Sequence, residues 1–401
     1  MSLSATPSGE RVHIGFFGKR NAGKSSVVNA VTGQELAVVS DVKGTTTDPV
    51  SKAMELLPIG PVMIIDTPGI DDEGMLGELR VRKTKQILNK TDVAILVIDG
   101  TSGMTEVEKE LIDIFKAKEL KYLVVYNKTD LLSEEQKKEL AEQGCLVSAV
   151  TGEGIHELKE NIGKMASAEA PKNKIVSDML KPQDFVVLVT PIDASAPKGR
   201  LILPQQQTIR DIIDTHAIAI VTQTEELAQT IAELGKKTRM VITDSQVFKK
   251  AAEATPEDIP LTSFSILMAR YKGQLEGAVM GAAAIETLEE GDKILISEGC
   301  THHRMCEDIG TVKLPNWLKK HTGKNLELVF SSGTAFPEDL SPYKMVIHCG
   351  GCMLNEREMR YRQKCAADQN IPFTNYGIAI AYMQGILKRS VGLFPDLVKM
   401  L

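Results

Sequence analysis

The sequence has few aromatic residues, no excess of basic residues and no long apolar run. Aromatic side chains make up 4% of the 401 residues, and 47 Lys and Arg residues face 53 Asp and Glu residues. Proteins that bind RNA usually present a basic surface with aromatic side chains on which bases stack. This composition therefore disfavours a nucleic-acid partner. No stretch of about 18 apolar residues occurs, so we expect no transmembrane helix and no membrane partner.

The first residues also lack the features of a signal peptide. The segment 1–9 is small and polar, with neither a basic nor an apolar region. We therefore expect a cytoplasmic protein. Cysteine is scarce before the last third of the chain: Cys145 lies in the first half, and the other five cysteines follow residue 299. In a cytoplasmic protein, clustered cysteines indicate metal or redox chemistry more than disulfides.

Length and pattern predict an α/β protein of three domains. In residues 1–170, apolar runs alternate with amphipathic stretches, which predicts a mostly parallel sheet covered by helices. Residues 171–264 repeat this alternation on a smaller scale without a catalytic constellation, and we interpret them as a small α/β dimerisation domain. Residues 265–401 hold nearly all the cysteines and form a third α/β domain.

A phosphate-binding loop is indicated between the first apolar run and the first helical stretch. Residues 18–25 read Gly-Lys-Arg-Asn-Ala-Gly-Lys-Ser, which fits G-x-x-x-x-G-K-[ST] in the required strand-to-helix context. The backbone N–H groups of such a loop point at phosphate. Lys24 should contact the β- and γ-phosphates, and Ser25 should bind Mg²⁺. The predicted contacts are Gly18, Asn21, Ala22, Gly23, Lys24, Ser25 and Ser26.

Two further motifs belong to the hydrolytic machinery of a P-loop protein. Asp66 begins the sequence Asp-Thr-Pro-Gly after an apolar run and is expected to hold Mg²⁺ through water. The N–H of Gly69 should contact the γ-phosphate. Thr46, within three consecutive threonines, is the predicted second protein ligand of Mg²⁺. The catalytic residues are thus expected to be Lys24, Asn21, Asp66 and Gly69.

Guanine specificity is indicated by Asn-Lys-Thr-Asp at residues 127–130 after another apolar run. Asp130 can accept both hydrogens of guanine N1–H and its exocyclic amine, a donor pair that adenine lacks. Asn127 and Lys128 complete the motif, and Ser148 and Ala149 are expected in the last base-contacting loop. The enzyme is therefore predicted to be a GTPase that uses GTP and Mg²⁺.

Residue 70 is isoleucine, which cannot orient water as the corresponding Gln of Ras-like enzymes does. Hydrolysis should therefore need another group or a cation. Asn21 in the phosphate loop and residues 44–48 (Gly-Thr-Thr-Thr-Asp) resemble the potassium-activated GTPases related to the tRNA-modification GTPase family. The resemblance implies that Asn21 helps to bind K⁺ near the phosphates.

The late cysteines form two groups, each after a strand-like run. Cys300-Thr-His302 is one, and His348-Cys349-Gly-Gly-Cys352 is the other. Short loops after neighbouring strands can converge. The residues are compatible with a structural Zn²⁺, with an iron–sulfur cluster that has a weak or open fourth position, or with a dithiol redox pair.

The potassium-type GTPase motifs followed by C-x-H and H-C-x-x-C are similar, over the whole chain, to the HydF family of FeFe-hydrogenase maturation GTPases. The resemblance implies that Cys300, Cys349 and Cys352 bind a [4Fe–4S] cluster, with His302, His348 or neither as its fourth ligand. It also implies a homodimer or tetramer. The family acts as a scaffold and carrier of a two-iron subcluster, made with two radical-SAM maturases and delivered to apo FeFe-hydrogenase.

The favoured prediction is therefore a GTPase and iron–sulfur scaffold. The alternative is an RNA- or ribosome-directed GTPase with a structural zinc site, and a third is a regulatory switch whose last domain binds only protein. The sequence leaves open the fourth cluster ligand, the choice of dimer or tetramer, and how GTP hydrolysis is coupled to cluster transfer.

Overall fold

The computed structural model describes residues 6–33, 50–56, 60–68, 84, 86–167, 174–192, 201–299, 308–333 and 335–401. It contains two compact units, residues 1–170 and 171–401. None of the described helices is long and apolar enough to cross a membrane. The three-domain division stays a prediction.

The first unit is built on a sheet with the strand order β2-β3-β1-β4-β5-β6. Strands β3, β1, β4, β5 and β6 are parallel, and β2 pairs antiparallel with β3. This confirms the mostly parallel sheet expected for the first unit. The strands are β1 (Val12–Phe17), β2 (Val50–Leu56), β3 (Gly60–Asp66), β4 (Val93–Asp99), β5 (Lys121–Asn127) and β6 (Cys145–Leu146).

Helices cover both faces of this sheet. Alternate residues of β4 point to opposite faces, as the strand period requires: Val97 packs with one apolar cluster and Leu96 with the other. Val27 of α1 packs in the first cluster, and Phe115 of α2 packs in the second. The helices are α1 (Lys24–Thr32), α2 (Glu106–Ala117), α3 (Glu134–Ala141) and α4 (Ile155–Ser167), and residues 86–90 are also helical.

The second unit begins with a parallel sheet of order β10-β9-β7-β8. Its strands are β7 (Phe185–Val189), β8 (Ile218–Thr222), β9 (Thr238–Thr243) and β10 (Leu261–Ser263). Its helices are α5 (Leu203–Ile213), α6 (Leu227–Leu234), α7 (Phe248–Ala254) and α8 (Phe264–Tyr271). Strand β7 is buried, as its unbroken run of apolar residues predicts.

A further parallel sheet, of order β12-β11-β13-β14, lies in the same unit. Its strands are β11 (Lys293–Glu298), β12 (Glu327–Ser332), β13 (Met345–His348) and β14 (Phe373–Asn375). The helices are α9 (Leu275–Ala282), α10 (Leu314–Thr322), α11 (Glu356–Asp368), α12 (Tyr376–Met383), α13 (Leu387–Ser390) and α14 (Pro395–Val398). A π-helical turn, Ile309–Lys313, leads into α10.

In both units, the direction of the parallel strands determines where the loops that can bind a ligand meet. The carboxyl ends of neighbouring parallel strands lie at one edge of a sheet, so the loops that follow them meet there. In the first unit this edge carries the ends of β1, β3 and β5, and in the second unit it carries the ends of β11 and β13. The nucleotide motifs and the late cysteines follow these strands.

Candidate functional site

The phosphate loop turns tightly over the ends of β4 and β5. Gly18 has φ 141°, and a Cβ atom there would lie 2.1 Å from the Val97 carbonyl oxygen. Gly23 has φ 84°, and its Cβ would lie 2.2 Å from Nδ2 of Asn127. Only glycine fits both positions. Asn21, between them, is exposed and holds a left-handed conformation with φ 59°.

The side chain of Lys24 lies folded over this loop. Its Nζ donates hydrogen bonds to the carbonyl oxygens of Gly18 (3.0 Å) and Lys19 (2.6 Å), and the residue is buried. Lys24 is also the first residue of α1, so the positive end of the helix is directed at the same place. A phosphate group would meet the ammonium group and the helix N-terminus together.

Ser25 and Asp66 face each other across the sheet edge. The Ser25 hydroxyl donates to Oδ2 of Asp66 at 2.6 Å. Burial raises the pKa of Asp66, and the Ser25 hydrogen bond and the Lys24 charge lower it only in part. Within the described part of the chain, Oδ1 of Asp66 is buried and has no hydrogen-bond partner. A hydroxyl and a carboxylate with a spare oxygen fit Mg²⁺, which prefers oxygen ligands.

Asn127 joins the phosphate loop to the base-binding loops. Its Nδ2 donates to the Ala22 carbonyl at 3.1 Å, and its Oδ1 accepts from the Ala149 N–H at 3.1 Å. Oδ1 of Asp130 accepts from the Ser148 hydroxyl at 2.6 Å. The structure thus brings together the predicted guanine-reading residues, which come from the ends of β5 and β6.

Lys128 has a partner that the sequence motifs did not indicate. Its Nζ lies 2.6 Å from Oδ2 of Asp99, the last residue of β4. Burial acts to raise the pKa of Asp99, but hydrogen bonds from Lys128 and Thr101 hold it below its usual value. Asp99 ends an apolar run at the same sheet edge, so its position in the sequence could have indicated that it belongs to the site.

Cys349 follows β13 directly and receives two backbone hydrogen bonds at its sulfur. The donors are the N–H groups of Gly299, at 3.1 Å, and Gly351, at 3.4 Å. Gly299 directly follows β11. This strand lies beside β13 in the sheet, where Ser297 pairs with His348. Gly299 is also the residue immediately before the predicted ligand Cys300 in the sequence.

Cys352 lies half-buried at the other end of the same loop. Burial raises the pKa of its thiol, and the charge of Lys272 acts to lower it. Nζ of Lys272 donates to the Leu354 carbonyl at 2.7 Å, and the lysine is itself buried. Lys272 follows α8, some 80 residues earlier in the chain, so the local cysteine pattern could not reveal it.

His348 bonds to protein through both ring nitrogens. Its Nδ1 lies 2.7 Å from the Cys349 carbonyl oxygen and its Nε2 lies 3.0 Å from Nη1 of Arg362. The ring is fully buried, and burial together with the Arg362 charge lowers the pKa of His348 to about 3. Both ring nitrogens of His348 are therefore bonded to protein groups, and the fourth cluster ligand, His302, His348 or neither, stays a prediction.

The cysteine loop has features that suit a thiolate-bound cluster. Backbone N–H groups directed at a cysteine sulfur stabilise its anionic form and tune an iron–sulfur cluster. Cys349 has two such donors, and Cys352 has a nearby cation. The described residues contain no group of three His, Cys, Asp or Glu side chains placed to hold a metal ion. Several expected site residues lie outside the described part of the chain: Thr46, Gly69, Cys300 and His302.

Comparison with known proteins relates the two units to different groups of proteins. Residues 13–128 match a family model described as 50S ribosome-binding GTPase. The first unit is therefore a GTP-hydrolysing domain. Residues 175–273 match the hydrogen maturase F dimerization domain, and residues 276–393 match the hydrogen maturase F tetramerization domain. These two matches indicate a chain that self-associates.

Individual relatives match less than half of the chain. The tRNA modification GTPase MnmE of Clostridioides difficile is 33% identical over 162 residues, which are 39% of this chain and 35% of that protein. GTPase Der of Campylobacter concisus is 39% identical over 130 residues, which are 31% of this chain and 28% of that protein. The chain thus spans about a third of the length of these curated relatives.

Among solved structures, Era of Aquifex aeolicus bound to GDP.AlF4- is 28% identical, with 38% of this chain and 56% of that chain covered and a TM-score of 0.34. This TM-score is too low to support an argument. The assignment depends instead on the two hydrogen maturase F models, which account together for most of residues 175–393. With a GTPase domain preceding these two domains, the chain belongs to the hydrogen maturase F family of GTPases.

Proposed function

We propose that the chain is a GTP-controlled carrier of an iron–sulfur centre, which assembles a two-iron subcluster and delivers it to apo FeFe-hydrogenase. The observation that carries the proposal is the Cys349 sulfur between two backbone N–H groups, one of them from the residue before Cys300. This contact brings Gly299, the residue before Cys300 in the sequence, to the second cysteine group, in a family defined by hydrogenase maturation.

The proposed ligands of a [4Fe–4S] cluster are Cys300, Cys349 and Cys352. A cluster with three cysteine ligands supplies one exchangeable iron position, which suits a carrier because cargo must both arrive and leave. The chain itself supplies the thiolates, the backbone donors at Cys349 and the Lys272 charge beside Cys352. The two-iron subcluster is cargo, and the proposed partners are two radical-SAM maturases, apo FeFe-hydrogenase and further copies of this chain.

In the first unit the proposed ligands are GTP, Mg²⁺ and K⁺. Ser25, Asp66 and Thr46 are the proposed Mg²⁺ residues, and Lys24 and Gly69 would contact the γ-phosphate. Asn21 is the proposed K⁺ residue, because its exposed side chain lies at the crest of the phosphate loop. A monovalent cation there would offset charge that develops on the phosphates during hydrolysis.

Metal analysis and EPR of the reduced protein test the carrier proposal. After anaerobic reconstitution, the unaltered chain should hold about four irons. Cys349→Ser and Cys352→Ser should lose the cluster signal and keep GTP hydrolysis. Cys365→Ser is the matched control, since this cysteine lies on α11 and packs against an apolar cluster. Equal iron in all variants would reject the proposed ligands. Stoichiometric zinc without iron would reject the proposal and favour a structural zinc site.

The potassium proposal is tested by measuring GTP turnover in KCl and NaCl at equal ionic strength. Turnover should be faster in K⁺, and Asn21→Ala should remove most of the difference. Ser102→Ala, an exposed loop variant away from the phosphate loop, is the control. Equal rates in the two salts would contradict a role for K⁺.

A further inference from the structure

A fully buried chain of side chains ends at the cysteine loop. It runs from Glu358 and Arg362, on α11, through His348 to the carbonyl of Cys349. Arg362 is 1% exposed and His348 is 0% exposed. Charged groups are rarely buried to this degree unless each has hydrogen-bond or ion-pair partners. The partners of these side chains therefore indicate their role.

Each nitrogen of the Arg362 guanidinium group has a defined acceptor. Nε donates to Oε1 of Glu358 at 2.9 Å, Nη1 to Nε2 of His348 at 3.0 Å, and Nη2 to the Gly333 carbonyl at 2.6 Å. The guanidinium carbon also lies 5.0 Å from the centre of the Phe336 ring. A planar group held at all three nitrogens has one orientation only, so Arg362 is a fixed donor.

This donor determines which nitrogen of His348 carries the proton. Arginine is always protonated in proteins, so Nε2 of His348 must accept and cannot carry a hydrogen. The ring hydrogen is therefore on Nδ1, from which it is donated to the Cys349 carbonyl at 2.7 Å. Stacking against Phe373, at 5.9 Å between ring centres, holds the ring plane.

The contact with the Cys349 carbonyl has a consequence for the sulfur. It fixes the peptide that follows Cys349, and the next residues supply one of the two N–H donors to that sulfur, from Gly351. The other donor, Gly299, approaches from the neighbouring strand. A rotation of this peptide would move the Gly351 N–H away from the sulfur.

We propose that His348 and Arg362 are positioning residues, which orient the Cys349 peptide so that the sulfur meets both backbone donors, and that His348 is not an iron ligand. The inference rests on the proposed function only in so far as Cys349 binds a cluster. The hydrogen-bond chain consists of protein groups alone, so it can be tested without iron. Buried ion pairs contribute little net stability, so a Glu358–Arg362 pair at this place is better explained by orientation.

Two amide substitutions separate the two nitrogens of His348. In His348→Asn the amide nitrogen can replace Nδ1 and still donate to the Cys349 carbonyl. In His348→Gln the amide reaches the position of Nε2 instead and leaves that carbonyl without its donor. Both variants remove imidazole and are similar in size, so a difference between them reports on the contact and not on the loss of histidine. Arg362→Met removes the fixed donor.

The readouts are the half-life of the cluster in a chelator, and pulsed EPR of the reduced cluster in protein labelled with ¹⁵N-histidine. We expect His348→Asn to keep the chelator half-life, and His348→Gln and Arg362→Met to shorten it by about tenfold or more, as changes around metal ligands do. No strong histidine nitrogen coupling should disappear in any His348 variant. A strong coupling lost in His348→Asn, or equal half-lives in the Asn and Gln variants, would overturn the inference.

A measurement without iron keeps the inference separate from the carrier proposal. ¹⁵N NMR of histidine-labelled apo-protein should show the His348 ring, assigned by the loss of its signal in His348→Asn, with its proton on Nδ1, and this signal should change in Arg362→Met. If no iron binds to the chain under any condition, the carrier proposal fails while this test still decides the hydrogen-bond chain. A ring protonated on Nε2 would show that the assigned orientation is wrong.

Discussion

The nucleotide site and the cysteine loop lie at the same kind of place, the carboxyl edge of a parallel sheet, but their polar groups are satisfied differently. In the nucleotide site, Nζ of Lys24 donates to carbonyls of its own loop, and within the described residues one buried oxygen of Asp66 has no partner. In the cysteine loop, His348 and Arg362 have protein partners at every ring and guanidinium nitrogen.

The difference teaches how to separate binding groups from positioning groups. A buried polar atom without a partner costs free energy unless a ligand satisfies it. Asp66, with its unpartnered oxygen, is therefore the proposed cation-binding group. His348, beside a cysteine pair in the sequence, has protein partners at both ring nitrogens and is the proposed positioning group. Four substitutions test this contrast.

The largest effect is expected for Lys24→Ala. The ammonium group should stabilise charge on the transferred phosphate, so its loss should reduce GTP turnover by at least about a hundredfold. Phosphate-release kinetics measure the change. Lys138→Ala, an exposed lysine on α3, is the control. Turnover within a factor of two of the unaltered chain would show that Lys24 does not contact the reacting phosphate.

A change of base preference is expected for Asp130→Asn. The amide loses the second acceptor for guanine, and GTP affinity should fall by roughly ten- to a hundredfold. Xanthine carries a carbonyl where guanine carries the amine, so xanthosine triphosphate should bind the variant better than GTP. Isothermal titration with both nucleotides measures this exchange. An unchanged preference for GTP would mean that Asp130 does not read the base.

The cysteine loop should be sensitive to Gly351→Ala. Gly351 has φ 62°, and a Cβ atom there would lie 2.4 Å from Sδ of Met359. A left-handed alanine costs roughly 1–2 kcal/mol, and the N–H bonded to Cys349 should shift. Thermal unfolding and iron retention measure both effects. Gly350→Ala is the matched control, because nothing lies within 4 Å of its Cβ position. Equal losses of stability and iron in the two variants would contradict the conformation and the Met359 contact described for Gly351.

The smallest effect has the opposite sign. Burial raises the pKa of Asp66, so charging this group as pH rises through its folded pKa destabilises the nucleotide-free fold. Asp66→Asn should therefore stabilise the apo-protein at neutral pH by about 1 kcal/mol and flatten its pH dependence, while Mg²⁺-dependent GTP binding is lost. Urea unfolding at several pH values measures it, with Asp113→Asn, an exposed acid, as control. If the Asp66→Asn apo-protein were less stable, the interpretation of Oδ1 of Asp66 as a buried oxygen without a partner would be wrong.

The sequence predicted what is contiguous. The phosphate loop, the Asn127–Asp130 motif and the parallel sheet that joins them are encoded in short runs whose spacing alone sets their geometry. The sequence did not reveal Asp99, Lys272 or Arg362, because each meets its partner through the fold and not along the chain. The surroundings of His348 were hidden for the same reason: its neighbours in sequence are cysteines, whereas its neighbours in space are an arginine and a phenylalanine.

The contact between Gly299 and Cys349 joins segments 50 residues apart, and it requires β13 to be in place beside β11. Arg362, which holds His348, is synthesised later still. The nucleotide loops are complete by residue 149. Domains fold in the order of synthesis, so a growing chain can complete its nucleotide loops before the cysteine loop exists. Translation therefore imposes an order on the two sites, with the nucleotide loops first and the cysteine loop last.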